Sequence, residues 1–189
     1  GTLRWHRDAR PAPDSMIGSP PASASTDMLA IHVRNATLPE KRGIQFNHPL
    51  VRDGEDWHFM HNGYMPTVHR KLGMSLSVFD TAEYFDYLVP RGTQRLDPAQ
   101  ILRRLRAVPT KGCSSGNAIA VHPGEAHVIH WSPAECATPA FFQLYHLGLP
   151  GAEIVASEIV PQLAPAARWQ PVPTGTVLTF PLAAEGPAT

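Results

Sequence analysis

The order of segments along the chain predicts an α+β protein in which helices cover antiparallel sheets. Three observations lead there. Short apolar, alternating segments fill the first third, two amphipathic helices with clear start signals fill the middle, and short strands bounded by Gly or Pro return afterwards. At 189 residues and ~150 residues per domain, the chain is expected to form one domain over 1–189. That length buries about two thirds of the unfolded surface without disulfide staples. Apolar residues make up 43% and charged residues 17%. The latter lies below the usual ~25% and excludes a solvated, charge-rich disordered chain.

Taken in order, Thr2 to Arg7 alternates apolar and polar side chains and is expected to be a strand. Residues 11–26 mix Pro, Ser, Ala and Gly without an apolar period and are expected to form a loop. Met28 to Val33 is a second, more apolar strand candidate. Trp57 to His61 is a third, closed by Asn62-Gly63, a dipeptide that tolerates positive φ. Asp80-Thr81-Ala82-Glu83 has the Asp-x-x-Glu layout of a capping box and opens a helix with Tyr84, Phe85 and Leu88 on one face. Asp97-Pro98 opens the next, with Ile101, Leu102, Leu105 and Val108 as its buried stripe. Strands are expected at 117–121, 127–131, 153–157 and 176–180, with a flexible tail over 183–189. Phe141, Phe142, Tyr145 and the four Trp residues suit core and sheet packing better than a cofactor box.

Charge and cysteine content narrow the partners. Lys plus Arg equals Asp plus Glu at 16 each, with no basic run to track phosphates, so nucleic acid is not an expected partner. No apolar run approaches the ~18 to 20 residues of a membrane span, and the first ten residues are polar rather than a signal-peptide core. No membrane partner is expected. Only Cys113 and Cys136 are present, which fits a reducing compartment, and hence the cytoplasm, although two thiols could pair once. Among the ten His residues, His58 with His61 and His127 with His130 are spaced i, i+3 on expected strands. Such positions point to opposite sheet faces, so no metal site is expected, and no cofactor.

Four polar clusters punctuate the first half: His32-Val33-Arg34-Asn35-Ala36-Thr37, Asn47-His48-Pro49, His61-Asn62-Gly63 and Asp80-Thr81. Each follows or ends an apolar segment, where a rigid scaffold presents functional side chains. Their chemistry is complementary. Arg34 can fork onto a carboxylate, Asp80 can receive an ammonium, and Asn62 with the Gly63 amide can stabilise an oxyanion. Singly, each has a plainer reading: Arg34 a structural ion pair, Asp80 a helix N-cap, Asn62-Gly63 a hairpin turn. Together they suit an α-amino acid carrying a carbonyl at its far end.

In this order the clusters resemble the class II glutamine amidotransferases, N-terminal-nucleophile hydrolases that release ammonia from glutamine. The His-x-Arg-x-Ala-Thr segment, the Asn-His-Pro turn, the His-Asn-Gly turn and the Asp-Thr helix start all have counterparts. Val155-Ala156-Ser157-Glu158, Trp169 and Pro173-x-Gly175-Thr176 are similar to the closing strands of the single-domain members without a synthase. The resemblance spans residues 28 to 181. It implies a four-layer αββα sandwich of antiparallel sheets, with Arg34 on the glutamine α-carboxylate, Thr37 and His48 supporting that pocket, Asp80 on the α-amine, and Asn62 and Gly63 as oxyanion hole. The implied reaction is hydrolysis of glutamine or a γ-glutamyl amide to glutamate and ammonia or an amine.

This chain departs from the pattern in two places. Ala82 stands where the family usually has Glu, with Glu83 one place later. In the family, the nucleophile is a cysteine at the mature N-terminus whose own amine acts as base, whereas residue 1 here is Gly and neither cysteine has a matching context. The expectation is that the first strands and the nucleophile lie upstream, or come from another chain. A separate synthase could use the ammonia. The alternative is a catalytically inactive amino-acid-binding or scaffold domain of the same fold.

Overall fold

The computed structural model describes residues 2–10, 26–35 and 39–182. The expected loop over 11–26, apart from its last residue, and the expected tail over 183–189 lie outside them, as does Thr37. The protein is a mixed α/β structure of antiparallel sheets and few helices. Strands β1 (Leu50–Val51), β2 (His58–Asn62), β3 (Asn117–His122), β4 (Glu125–His130) and β8 (Thr176–Pro181) form a five-stranded sheet in the order β1-β2-β3-β4-β8. Strands β5 (Tyr145–Leu149), β6 (Ala152–Ala156) and β7 (Gln170–Pro171) form a smaller sheet in the order β6-β5-β7. Every pairing is antiparallel.

Helices α1 (Asp80–Leu88) and α2 (Pro98–Arg106) cover one face of the large sheet. Their Tyr84, Phe85, Leu88, Ile101 and Leu105 pack with Phe59, Ala118, Ala120 and Ile129, which the pleat turns to the same side. The Phe59 and Phe85 rings stack with centroids 4.9 Å apart. On the opposite face, Met60, Ile119, Val128 and Leu178 follow one another in register across four strands. The smaller sheet packs a cluster of its own around Leu147, Ala164 and Trp169.

Several local expectations change. Thr2 to Arg7 and Met28 to Val33 are not strands: the described residues give neither a ladder partner, although 28–34 keeps a two-residue alternation. In that segment Leu29, Ile31 and Val33 are exposed, while Ala30, His32 and Arg34 are half-buried. The α1 start also shifts by one residue. Phe79 takes the N-cap position, and Glu83 accepts hydrogen bonds from the Phe79 and Val78 amides and the Ser77 hydroxyl. Asp80 is thereby relieved of capping. At α2, Asp97 is the cap, accepting the Ala99 amide at 3.0 Å. Phe141, expected in the core, is 71% exposed, whereas its neighbour Phe142 is buried. Trp5 is also largely exposed, unlike Trp57, Trp131 and Trp169. Both cysteines are free. No helix among the described residues is long and apolar enough to cross a membrane.

Candidate functional site

The end of β2 organises the site. His61 points to the helix side and is buried, with Nδ1 3.1 Å from Thr81 Oγ1 and Nε2 3.1 Å from the Ser115 carbonyl oxygen. A carbonyl only accepts, so Nε2 carries the proton and Nδ1 accepts from the threonine hydroxyl. This pins β2 to the start of α1 and to the loop before β3. The next residue, Asn62, faces away from His61 and is exposed. Gly63 follows at φ 152°, and a Cβ built there would lie 2.0 Å from the Ser115 oxygen. Only glycine lets the two backbones come this close.

Two residues further on, the Met65 amide donates to Asp80 Oδ2 at 2.9 Å. The carboxylate at the start of α1 is thus fixed to the turn containing Asn62 and Gly63. From the other direction, His32 Nε2 donates to the His61 carbonyl at 3.1 Å. That bond lays the 26–35 segment beside β2 and brings Arg34 to the same end. Arg34 Nη1 donates to the Lys41 carbonyl at 2.7 Å. Burial lowers its guanidinium pKa while the charge of Asp80 raises it, so the two ends of the site sense each other.

His48 lies between these segments. Asn47 Nδ2 donates to the Asp8 carbonyl at 2.9 Å, and Arg7 donates twice to the Pro49 carbonyl, fixing the turn on both sides of His48. The His48 ring sits 4.1 Å from the His32 ring, tilted by 45°. His48 is 8% exposed, yet neither of its ring nitrogens has a hydrogen-bond partner among the described residues, nor does His32 Nδ1. Burial first, then His32, His61, Arg34 and Arg7, push the His48 pKa down to about 2. Burial also lowers those of His32 and His61. The three imidazoles are neutral at pH 7 and offer uncharged donors and acceptors beside the cations Arg34 and Arg7 and the anion Asp80.

Arg34, His48, Asp80 and the Asn62-Gly63 turn therefore converge on one region, while Thr37 lies outside the described residues. Sequence reasoning gave no part to Ser115, which is fully buried and whose carbonyl holds His61 and abuts Gly63. Its only signal is the run of small residues from Gly112 to Gly116. Of the two thiols, Cys113 is a poor nucleophile. It is buried, donates to the Pro109 carbonyl, and is pushed up in pKa chiefly by burial. The spaced histidine pairs straddle the sheet, His61 and His127 facing the helices and His58 and His130 the other side.

No protein-family model and no curated protein sequence matches this chain. Among solved structures, it is similar to the glutamine phosphoribosylpyrophosphate amidotransferase of B. subtilis, with a TM-score of 0.53 and 20% identity. The match covers 79% of this chain and 32% of that one. The two share a fold. A glutamine aminotransferase class-II domain protein from Silicibacter pomeroyi gives a TM-score of 0.47 at 19% identity, covering 69% of this chain and 65% of that one. This chain thus spans about a third of the first neighbour's length and less than two thirds of the second's.

Proposed function

We propose that the chain forms the substrate-holding part of a glutamine amidotransferase-type amide hydrolase, in one domain over 1–189 with a four-layer αββα plan. The observation that carries this reading is the meeting of Arg34 and Asp80 beside a buried His48 whose ring nitrogens have no hydrogen-bond partner among the described residues. In the proposal the Arg34 guanidinium holds the α-carboxylate of a glutamine-like substrate, supported by Thr37 and His48, and Asp80 holds the α-ammonium. The side-chain amide then extends toward the turn at Asn62 and Gly63. The Asn62 side chain and the Gly63 N–H receive the negative charge that develops on the carbonyl oxygen when a thiolate adds to its carbon. The tetrahedral intermediate expels ammonia or an amine, and water releases glutamate from the thioester.

The resemblance assigns the thiolate to an N-terminal cysteine, a context that neither Cys113 nor Cys136 matches. The position of Cys113, hydrogen-bonded to Thr67 and Pro109, favours a second reading in which these residues bind an amino acid without catalysing its hydrolysis. The test is ammonia release from L-glutamine by this polypeptide, run beside calorimetric binding of the same ligand. Binding without ammonia is expected from this polypeptide, and ammonia release is expected from a form that carries an N-terminal cysteine. Ammonia release abolished by Cys113→Ser or Cys136→Ser would overturn the assignment of the nucleophile.

A further inference from the structure

A second concavity adjoins the candidate site. A hollow of about 600 Å³ opens between residues 110–114 and 135–138. Backbone contacts connect it to the turn after Gly63. The Ser114 amide donates to the Tyr64 carbonyl at 3.0 Å, and the Tyr64 amide donates to Ser114 Oγ at 3.0 Å. Its floor residue, Cys113, lies 3.5 Å from Thr67 Oγ1 and near enough to Asp80 for that carboxylate's charge to reach the thiol. The lining exposes more apolar than polar surface, and its two charges balance. Lys111 stands on one wall and Glu135 on the other, both exposed and neither in an ion pair among the described residues, with Thr110, Ser114 and Thr138 adding hydroxyls.

One cation facing one anion does not suit a polyphosphate, and three hydroxyls do not suit a lipid chain. The set suits a small amine-derived group with one carboxylate. We propose that this hollow takes the amine-side substituent of a γ-glutamyl amide, with Lys111 meeting a carboxylate on that substituent. The inference rests on the proposed pocket, because the glutamyl end must be held by Arg34 and Asp80 for its amide to lie at the Asn62-Gly63 turn. The hollow, joined to the residue after that turn through Ser114, then receives whatever the amide nitrogen carries. Glu135 opposite Lys111 disfavours a second carboxylate there.

Calorimetry on the full chain tests this with three probes: L-glutamine, γ-L-glutamylethylamide and γ-L-glutamylglycine. The last two are similar in length and differ in the carboxylate. An exposed lysine makes a modest, screened contact, so γ-L-glutamylglycine is expected to bind about fivefold more tightly than the ethylamide. Lys111→Gln should erase that preference and leave ethylamide binding unchanged. Equal affinities in the wild-type chain, or a preference that survives Lys111→Gln, would overturn the hollow's assignment while leaving the Arg34 and Asp80 pocket standing. Failure of all three probes to bind would overturn the pocket, and this inference with it.

Discussion

The Asp80 carboxylate accepts the Met65 amide at 2.9 Å and so joins the first residue of α1 to the turn that follows β2. Acidic residues at helix starts usually cap the helix, but Glu83 does that here by accepting the Phe79 and Val78 amides. Asp80 is left with a positioning bond through one oxygen and a charge that Arg34 senses across the site. Two neighbouring carboxylates thus divide helix capping and candidate binding between them.

That division separates their mutational effects. Asp80→Asn keeps an oxygen for the Met65 amide, so the urea midpoint should shift by less than the equivalent of about 1 kcal/mol. Loss of the charge should weaken binding of L-glutamine at least tenfold. Glu83→Ala removes the acceptor of three donors and should cost about 1 to 2 kcal/mol of stability. Urea unfolding and calorimetry on both variants check the contrast; a large stability loss from Asp80→Asn would make Asp80 a structural residue.

Gly63→Ala should be among the most damaging single-methyl additions. The new Cβ would lie 2.0 Å from the Ser115 oxygen at a φ of 152°. Neither backbone can yield without disturbing His61, which donates to that same carbonyl. A loss of about 2 to 3 kcal/mol is expected from strain and overpacking, read as a lowered urea midpoint. Gly54→Ala is its control: that glycine also has positive φ, but a Cβ there meets nothing within 4 Å. It should cost less.

Acid should unfold the protein through its buried histidines. The folded-state pKa of His48 is depressed to about 2, and those of His32 and His61 are lowered by burial. An unfolded histidine titrates near ~6.5, so below that pH the unfolded chain binds more protons than the folded one. Stability from these groups is complete above pH ~6.5 and falls as the pH drops, by about 1.4 kcal/mol per pH unit for each fully shifted group. Urea midpoints between pH 7.5 and 4.5 should decline, and His48→Phe should flatten the decline. In the wild-type NMR spectrum the His48 ring should not titrate over that range.

Much of this arrangement was legible where signals are local. The Asp97-Pro98 start of α2 and the core strands β3 and β4 follow from capping and hydrophobic runs that any fold would use. The register of α1 was less legible, because Asp80 and Glu83 both suit a capping role until tertiary contact gives Asp80 another partner. Met28 to Val33 alternates as a strand does, but alternation reports which side faces the protein, not whether a neighbouring strand supplies hydrogen bonds. Strand β5 was hidden because its half-buried residues, Tyr145 and His146, follow an aromatic run that reads as core. Within the site, the nearness of Arg34, His48, Asp80 and the Asn62-Gly63 turn was legible, while Thr37 lies outside the described residues. Ser115 and the His32–His48 ring contact were not legible, since both arise from close approach between distant segments.

The central claim is that Arg34 and Asp80 hold the two charged ends of one α-amino acid, and calorimetric titration of L-glutamine into the wild-type chain and Arg34→Ala tests it most directly. A charge-assisted contact of roughly 1.5 to 3 kcal/mol corresponds to at least about tenfold in affinity. The account predicts a single saturable site in the wild-type chain and binding at least tenfold weaker in Arg34→Ala, with the fold intact by circular dichroism. No binding to the wild-type chain, or equal affinity in the two proteins, would contradict it.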